Sequence, residues 1–469
     1  MPPPDRDIPR RAFLGQSAGG VGALALSQLL YETDSLVAGN GRQNGPGREG
    51  TAKNVICLFQ HGGPSQMDLF DFKPALSKWD GQPYPGGDLE THFHEQMGNV
   101  LASPYRFSPQ GDCGMELSDL LPFTSQIADD ITLVRSMTTE SVDHESALRL
   151  IHSGRFFAGM PAWGSWVVYA LGSENRNMPA YVVLSDPGGL PVDGERNWSA
   201  GWLPAAYQGT QFHSGKSAVP NLNVPEGVLP AGRKNQLDLL ATLNQAHLER
   251  HPYNTELAAR LENFEIAARM QLAVPKILDV RNETAATRDL YGLDHPSTAE
   301  YGQRCLLARR LIERGVRFVQ IYLNGQPWDT HTKNAKTLKT LCGRTDQPAA
   351  ALVKDLKLRG LLDSTIVLWT GEFGRLPISQ GKDGRDHNRH GFSLWLAGGG
   401  FRAGYVHGAT DEFGYRAIEK TVSVHDLHAT LLHALGIDHH RLALPRDGRE
   451  TSLTDAEVTS ASVVEDLLA

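Results

Sequence analysis

Residues 362–408 contain two short, almost uninterrupted apolar runs, 365–369 (TIVLW) and 392–397 (FSLWLA), and each borders a loop of polar groups of metal-ligand type. A strand that is apolar on both faces belongs inside a parallel sheet covered on each side; a strand with one wet face alternates instead. The first loop supplies Glu372 almost directly after its strand, and the second supplies Asp386, His387 and His390 just before its strand. Open α/β sheets build their sites in such loops, because parallel strands bring distant segments to one edge.

The same pattern recurs along the chain. Residues 54–60 (NVICLFQ) form another buried-type strand, ending at His61-Gly62-Gly63-Pro64-Ser65, where the glycines allow a special backbone turn. Ser65 then reads as the cap of a helix with Asp68 near its positive end. Residues 73–109 read as an irregular excursion, 117–127 have helical spacing and 131–135 form a strand. Helix 142–153 opens on Asp143, His144 and Glu145 and is stopped by Gly154. After a strand at 181–184, residues 185–225 form a long loop with Trp198, Trp202, Tyr207 and Phe212, which reads as an insertion, a lid or the core of an insertion.

Helices follow at 234–249, 254–272 and 301–314, then a strand at 316–323 leading to Trp328-Asp329-Thr330-His331, and a helix at 345–361. Helix 424–435, closed by Gly436, completes the pattern. Strand-loop-helix units without tandem repeats predict an α/β fold: a doubly wound, mostly parallel sheet with helices on both faces and irregular insertions.

The formal charge of -8 and pI near 6.1 argue against a nucleic-acid binder, because there is no basic excess to neutralise phosphates. Arg309, Arg310 and Arg314 read as the solvated face of a helix, and no run is long enough to cross a bilayer in the mature protein. The start differs in kind: Arg10-Arg11 precedes an apolar stretch rich in Gly and Ala, and residues 1–38 resemble a twin-arginine export signal. Residues 39–51 read as a linker, 52–455 as one domain and 456–469 as a tail. The resemblance implies the twin-arginine machinery as a partner and a periplasmic or cell-surface destination. Of the four cysteines, none in zinc-type spacing, Cys113 and Cys342 are the pair expected to form a disulfide if any does.

His61, the pair Asp329 and His331, Glu372 and His387 all stand at predicted strand ends. Convergence of such a mixed imidazole and carboxylate set would suit one or two divalent ions, Zn, Mn or Fe rather than Ca. Each piece alone is a common turn cap or surface pair.

These residues carry a resemblance to the sulfatase and alkaline phosphatase superfamily. Residues 54–61 are similar to its opening strand, and Thr370-Gly371-Glu372-Phe373-Gly374 is similar to its Thr-Ser/Ala-Asp-His-Gly motif. His387 resembles its last metal-binding His, and Asp329 with His331 its Asp and His pair. More closely, the chain is identified as a member of the exported bacterial family known as the domain of unknown function 1501. That resemblance rests on His61-Gly-Gly-Pro-Ser65-Gln-Met-Asp68, Trp328-Asp-Thr-His331, Trp369-Thr-Gly-Glu-Phe-Gly-Arg375, Gly384-Arg-Asp-His387 and Gly408-Ala-Thr-Asp411.

The resemblance implies a metal-dependent hydrolase of phosphate or sulfate esters, with a small-molecule or glycan ester as substrate. The alternative is a surface binding or assembly module that keeps the fold without the chemistry. Departures matter here: His61 stands where Asp is expected, and Glu372-Phe373 where Asp-His is expected. His144 lies at the sulfatase nucleophile position, ten residues before Gly154. It therefore reads as ligand, nucleophile or general base, or as a packed helix-start histidine. Ser65 is the other candidate nucleophile, or a cap. Arg375 and Arg385 are candidates for binding an anionic substrate, or structural ion pairs.

Overall fold

The computed structural model describes residues 50–175, 177–212, 230–251, 261, 264, 277–446 and 448–469. The export-signal region, most of the linker, most of the expected helix at 254–272 and the end of the 185–225 loop lie outside them.

Among the described residues nine strands build the main sheet: β1 (Asn54–Phe59), β2 (Ile131–Thr138), β3 (Tyr181–Leu184), β4 (Thr210–Phe212), β5 (Phe318–Ile321), β6 (Thr365–Thr370), β7 (Phe392–Ala397), β8 (Tyr405–His407) and β9 (Val422–Ser423). Their order is β8, β2, β7, β6, β1, β5, β3, β4, with β9 also alongside β2. All run parallel except β7, which is antiparallel to both β6 and β2.

Every residue of β1, β6 and β7 is buried, as expected of strands covered on both faces. Successive β1 residues alternate between two cores: Ile56 and Leu58 join one, Val55, Cys57 and Phe59 the other. The first core is completed by α3 (Ala299–Ile312) and α4 (Asn334–Leu358), through Cys305, Leu306, Leu338 and Leu352. The second is completed by α1 (His144–Ser153), α2 (Trp163–Leu171) and α5 (Val424–Ala434), through Leu148, Trp166, Leu427 and Leu431. The expected mostly parallel α/β sheet with helices on both faces is therefore what the chain adopts.

Several local expectations are corrected. Residues 117–127 do not form one helix: Met115–Ser118 pairs with Phe107–Gln110, and a 3-10 helix follows at Thr124–Asp130. Pro122 lies inside the expected helix and cannot continue it. Helix α4 begins eleven residues earlier than expected, where the sequence is too polar to show an apolar face. Arg309 does not face water: its side chain is 3% exposed and pairs with Glu283, Glu313 and Asp355. Cys113 and Cys342 are both free; Cys342 is buried within α4 and Cys113 is exposed.

The lid reading of the aromatic loop gives way to core packing over its described part. Trp198 is buried against Tyr322, Phe212 is buried in β4, and Trp202 and Tyr207 pack on the second core. The tail is part of the domain as well, since Leu467 is fully buried and Leu468 bridges Phe401.

Candidate metal centre

Because β1, β2, β5 and β6 are parallel, the segments after them leave the sheet at one edge. The reversed direction of β7 brings the residues before it to that same edge. The reversal is why His387, which precedes its strand, joins groups that follow theirs. His144 arrives as the first residue of α1, a helix capped by Asp143, whose carboxylate accepts the Ser146 N–H at 3.0 Å, and ended by left-handed Gly154.

One ligand atom each from His144, Asp329, His331 and His387 lies within 4.8 Å of all the others. The Asp329 carboxylate is the hub: His331 Nε2 is 3.0 Å and His387 Nε2 3.3 Å from Oδ1, and His144 Nε2 is 3.4 Å from Oδ2. The opposite nitrogen of each ring meets an acceptor. His144 Nδ1 faces Glu372 Oε1 at 2.7 Å, His387 Nδ1 faces the Val142 carbonyl at 2.6 Å, and His331 Nδ1 faces the Gln380 amide oxygen. The Gln380 oxygen is held in that direction because its NH2 donates to Gln96.

In a neutral imidazole the single proton therefore belongs on Nδ1, and three Nε2 lone pairs point at one carboxylate. Lone pairs facing a carboxylate repel unless a cation or an extra proton lies between them. Ligating histidines have this arrangement, with the outer N–H held by a carboxylate or carbonyl and the inner nitrogen free for metal. The donor set, three imidazoles and one carboxylate, is suited to Zn, Mn or Fe and poorly suited to Ca.

The electrostatics agree. Burial disfavours the His144 imidazolium, but hydrogen bonds with Asp329 and Glu372 outweigh it and raise its pKa to about 9. Burial, helped by Arg375 and His144, lowers His387 to about 4 despite the nearby Asp329. Burial opposes ionisation of Asp329, yet its three histidines and Arg375 hold it far below the usual carboxylate range. The raised pKa of His144 places a positive charge between the Asp329 and Glu372 carboxylates.

The remaining candidates fall into two groups. Glu372 is fully buried and accepts the Gly62 N–H at 2.9 and 3.1 Å besides contacting His144, so it supports the cluster from behind. His61 is also fully buried, and neither of its ring nitrogens has a hydrogen-bond partner. Burial lowers its pKa to about 4 against the pull of Glu372, so it is a neutral ring with a free lone pair.

Arg375, Arg385 and Ser65 are placed differently from their expected substrate or nucleophile roles. Arg375 is fully buried and donates to the carbonyls of Gly62, Gly63 and Arg385 and, at 2.7 Å, to Asp329 Oδ1. Arg385 pairs with Asp68 at 2.9 Å, both side chains fully buried. Ser65 donates to the same Asp68 at 2.6 Å and makes no cap bond. Both guanidinium groups and the Ser65 hydroxyl are buried and engaged by protein groups. His390 turns outward to Glu90 at 2.9 Å.

Sequence reasoning passed over Gln380 and the Val142 carbonyl, which orient two of the rings, because nothing in their local sequence marks them. Gly62 has a similar hidden role. Its φ is +111°, and a Cβ there would lie 2.4 Å from the Asp329 nitrogen. Gly62→Ala is thus expected to cost roughly 1–3 kcal/mol of backbone strain and to displace Asp329, which would weaken any divalent-ion uptake by the cluster, with zinc as the probe. A chemical denaturation curve and a zinc titration measure the two effects, and an unchanged pair of values would show that the close approach is dispensable.

Comparison with known proteins gives one family match, described as "Protein of unknown function (DUF1501)", over residues 52–468. No curated protein matches the chain. Among solved structures, Ps i-CgsB in complex with k-i-k-neocarrahexaose is 10% identical, covering 87% of this chain and 77% of its own at a TM-score of 0.37. The PsFucS1 sulfatase from Pseudoalteromonas sp. is 12% identical, covering 89% and 72% at 0.34. A magnesium-bound mutant of TAB5 alkaline phosphatase is 10% identical, covering 83% and 100% at 0.35. At such scores and identities these likenesses say nothing about chemistry, which has to come from the side chains.

Proposed function

The chain belongs to the DUF1501 family, and from that premise we propose that it is an exported, metal-dependent hydrolase acting on phosphate or sulfate esters. The observation that carries the proposal is the convergence of three Nε2 atoms on Asp329 with every Nδ1 held by an acceptor. Of the segments whose sequence resembles the sulfatase and alkaline phosphatase superfamily, those at 329–331 and at His387 supply members of this cluster and that at 370–374 supplies Glu372 behind it.

His144, Asp329, His331 and His387 would hold one divalent ion. The unpartnered, neutral His61 beside Glu372 is the position from which a second could be bound. A divalent ion in such a site polarises an ester oxygen and lowers the pKa of a bound water. The protein's own groups set the geometry. Glu372, Gln380 and the Val142 carbonyl fix the three rings, and Arg375 fixes the carboxylate. With Ser65 engaged by Asp68 and His144 held between two carboxylates, the nucleophile in this reading is water rather than a side chain.

That Ser65 and His144 are both engaged by carboxylates is also what favours the second reading, a binding or assembly module that keeps the fold without turnover. One experiment separates them. The chain is purified after export without chelator, its metal content is measured, and it is assayed with 4-nitrophenyl phosphate and 4-nitrophenyl sulfate in the presence of Zn, Mn or Mg. Stoichiometric metal with turnover supports the hydrolase. Stoichiometric metal with no turnover on either ester supports the module, and a protein that takes up no metal sinks both versions of the centre.

A further inference from the structure

Asp386 immediately precedes His387, yet its carboxylate turns away from the cluster. Oδ2 accepts the N–H of His92 at 2.7 Å and of Phe93 at 2.9 Å, while Oδ1 accepts the His387 N–H at 2.8 Å. One buried carboxylate thus ties a segment nearly three hundred residues away in sequence to the backbone of a cluster histidine. Charge-assisted bonds to backbone N–H groups are the stronger kind.

The tied segment lies directly on the rings. His92 stacks on His387 with centroids 5.2 Å apart, and Phe93 meets His331 edge-on at 5.1 Å. Gln96 accepts from Gln380 at 2.9 Å, and Gln380 in turn holds His331 Nδ1. Side-chain exposure rises from 3% at His387 through 11% at His144 and 14% at Asp329 to 26% at His331. Solvent therefore reaches the cluster from the His331 side, where Phe93 stands 38% exposed.

We propose that segment 92–96, pinned by Asp386, forms the substrate-facing wall of the centre, with Phe93 as the residue that meets the organic part of the ester. Asp386 is then a positioning residue acting through the segment and through His331 and His387. Phe93 is a specificity residue. An exposed aromatic ring beside the reacting edge suits a flat apolar face, an aryl group or the C–H face of a sugar ring, better than a flexible alkyl chain. The role of Phe93 rests on the hydrolase reading; that of Asp386 rests only on the metal centre.

The test uses the full chain with Asp386→Ala, Asp386→Asn and Phe93→Ala. Hydrogen exchange over 92–96, zinc affinity by competition with a chromogenic chelator, and kcat and KM for aryl, sugar and simple alkyl phosphate and sulfate esters are measured. Asp386→Ala is expected to speed exchange in the segment and weaken zinc about tenfold, in the range for outer-shell partners. Asp386→Asn, which keeps one acceptor oxygen for the His92 and Phe93 N–H groups but sets its NH2 against the His387 N–H, restores most of the exchange protection and part of the zinc affinity. Phe93→Ala is expected to leave zinc affinity unchanged and to raise KM for aryl and sugar esters at constant kcat, with no change for alkyl esters.

Unaltered exchange or unaltered zinc affinity in Asp386→Ala overturns the positioning role. An unaltered KM in Phe93→Ala, or the same rise with all three ester classes, overturns the specificity role. A wild-type protein that binds zinc but turns over no ester removes the hydrolase reading and Phe93 with it, while Asp386 is still judged by exchange and zinc affinity. A wild-type protein that takes up no zinc overturns the wall together with the centre.

Discussion

On the proposal of a metal centre, Asp329→Asn is expected to purify without a divalent ion, whereas the unaltered chain is expected to retain one through the same steps. Asp329 is the single carboxylate on which His144, His331 and His387 converge. Asn keeps the shape and an acceptor for Arg375 but removes the negative charge among three neutral ligands. The loss of affinity should exceed the roughly 10- to 100-fold that outer-shell changes cause. A thermal readout gives an independent check. Ligand binding at about a thousand times Kd stabilises a fold by about 4 kcal/mol, so added zinc should raise the unfolding temperature of the parent and leave that of Asp329→Asn unmoved. Equal metal content in the two proteins would remove Asp329 from the ligand set and, with it, the centre as described.

The second large effect concerns stability, away from the cluster. Asp68→Ala leaves the Arg385 guanidinium fully buried opposite no carboxylate, and it also strips Ser65 and Asn334 of their common acceptor. Breaking one side of a buried pair costs about 3–5 kcal/mol, so the denaturant midpoint should fall far enough to read without ambiguity. The pair also has a pH signature. Burial opposes ionisation of Asp68, but Arg385, Ser65 and Asn334 outweigh it and hold its pKa below the ordinary value. A depressed folded pKa contributes stability that is present above the unfolded value, near 4, and is lost as pH falls through the folded one. Stability of the parent should therefore decline from about pH 4 downward. An unfolding free energy for Asp68→Ala within about 0.5 kcal/mol of the parent's would show that Arg385 finds water or another acceptor.

Both outcomes bear on how the chemistry of this chain should be read. Arg385 and Ser65 belong to a dry polar network that holds loops together, whereas Arg375 reaches the centre only by bracing Asp329. Their sequence contexts, close to candidate ligands and after glycines, look equally functional. Burial of the guanidinium groups and the hydroxyl is what separates bracing from substrate binding.

Much of the sheet was legible because its cause is local. An apolar run of six residues bounded by Gly, Asn or Asp signals a strand buried on both faces wherever it occurs, and β1, β6 and β7 lie where that pattern puts them. The helix of α1 was equally plain up to its stop at Gly154, although it starts at His144 rather than 142, with Asp143 as its cap. Where a pattern had a conflicting local signal, as with Pro122 inside an apolar helical spacing, the sequence misled.

The ligand-type residues could be named from sequence, since His and Asp beside strand ends are visible in one dimension. Their grouping could not. Whether His387 joins Asp329 depends on the direction of β7, which is set by its pairing with β6 and β2. Whether a ring offers Nε2 or Nδ1 depends on acceptors at Val142, Glu372 and Gln380, each more than forty residues from the ring it orients. Sequence by itself determined that this chain forms a covered parallel sheet with polar loops at its strand ends, because burial periodicity is a property of neighbouring residues. Only the tertiary structure decided which of those polar groups face one another and which are sealed behind them, because contact, charge and access to water are set between segments that the chain keeps far apart.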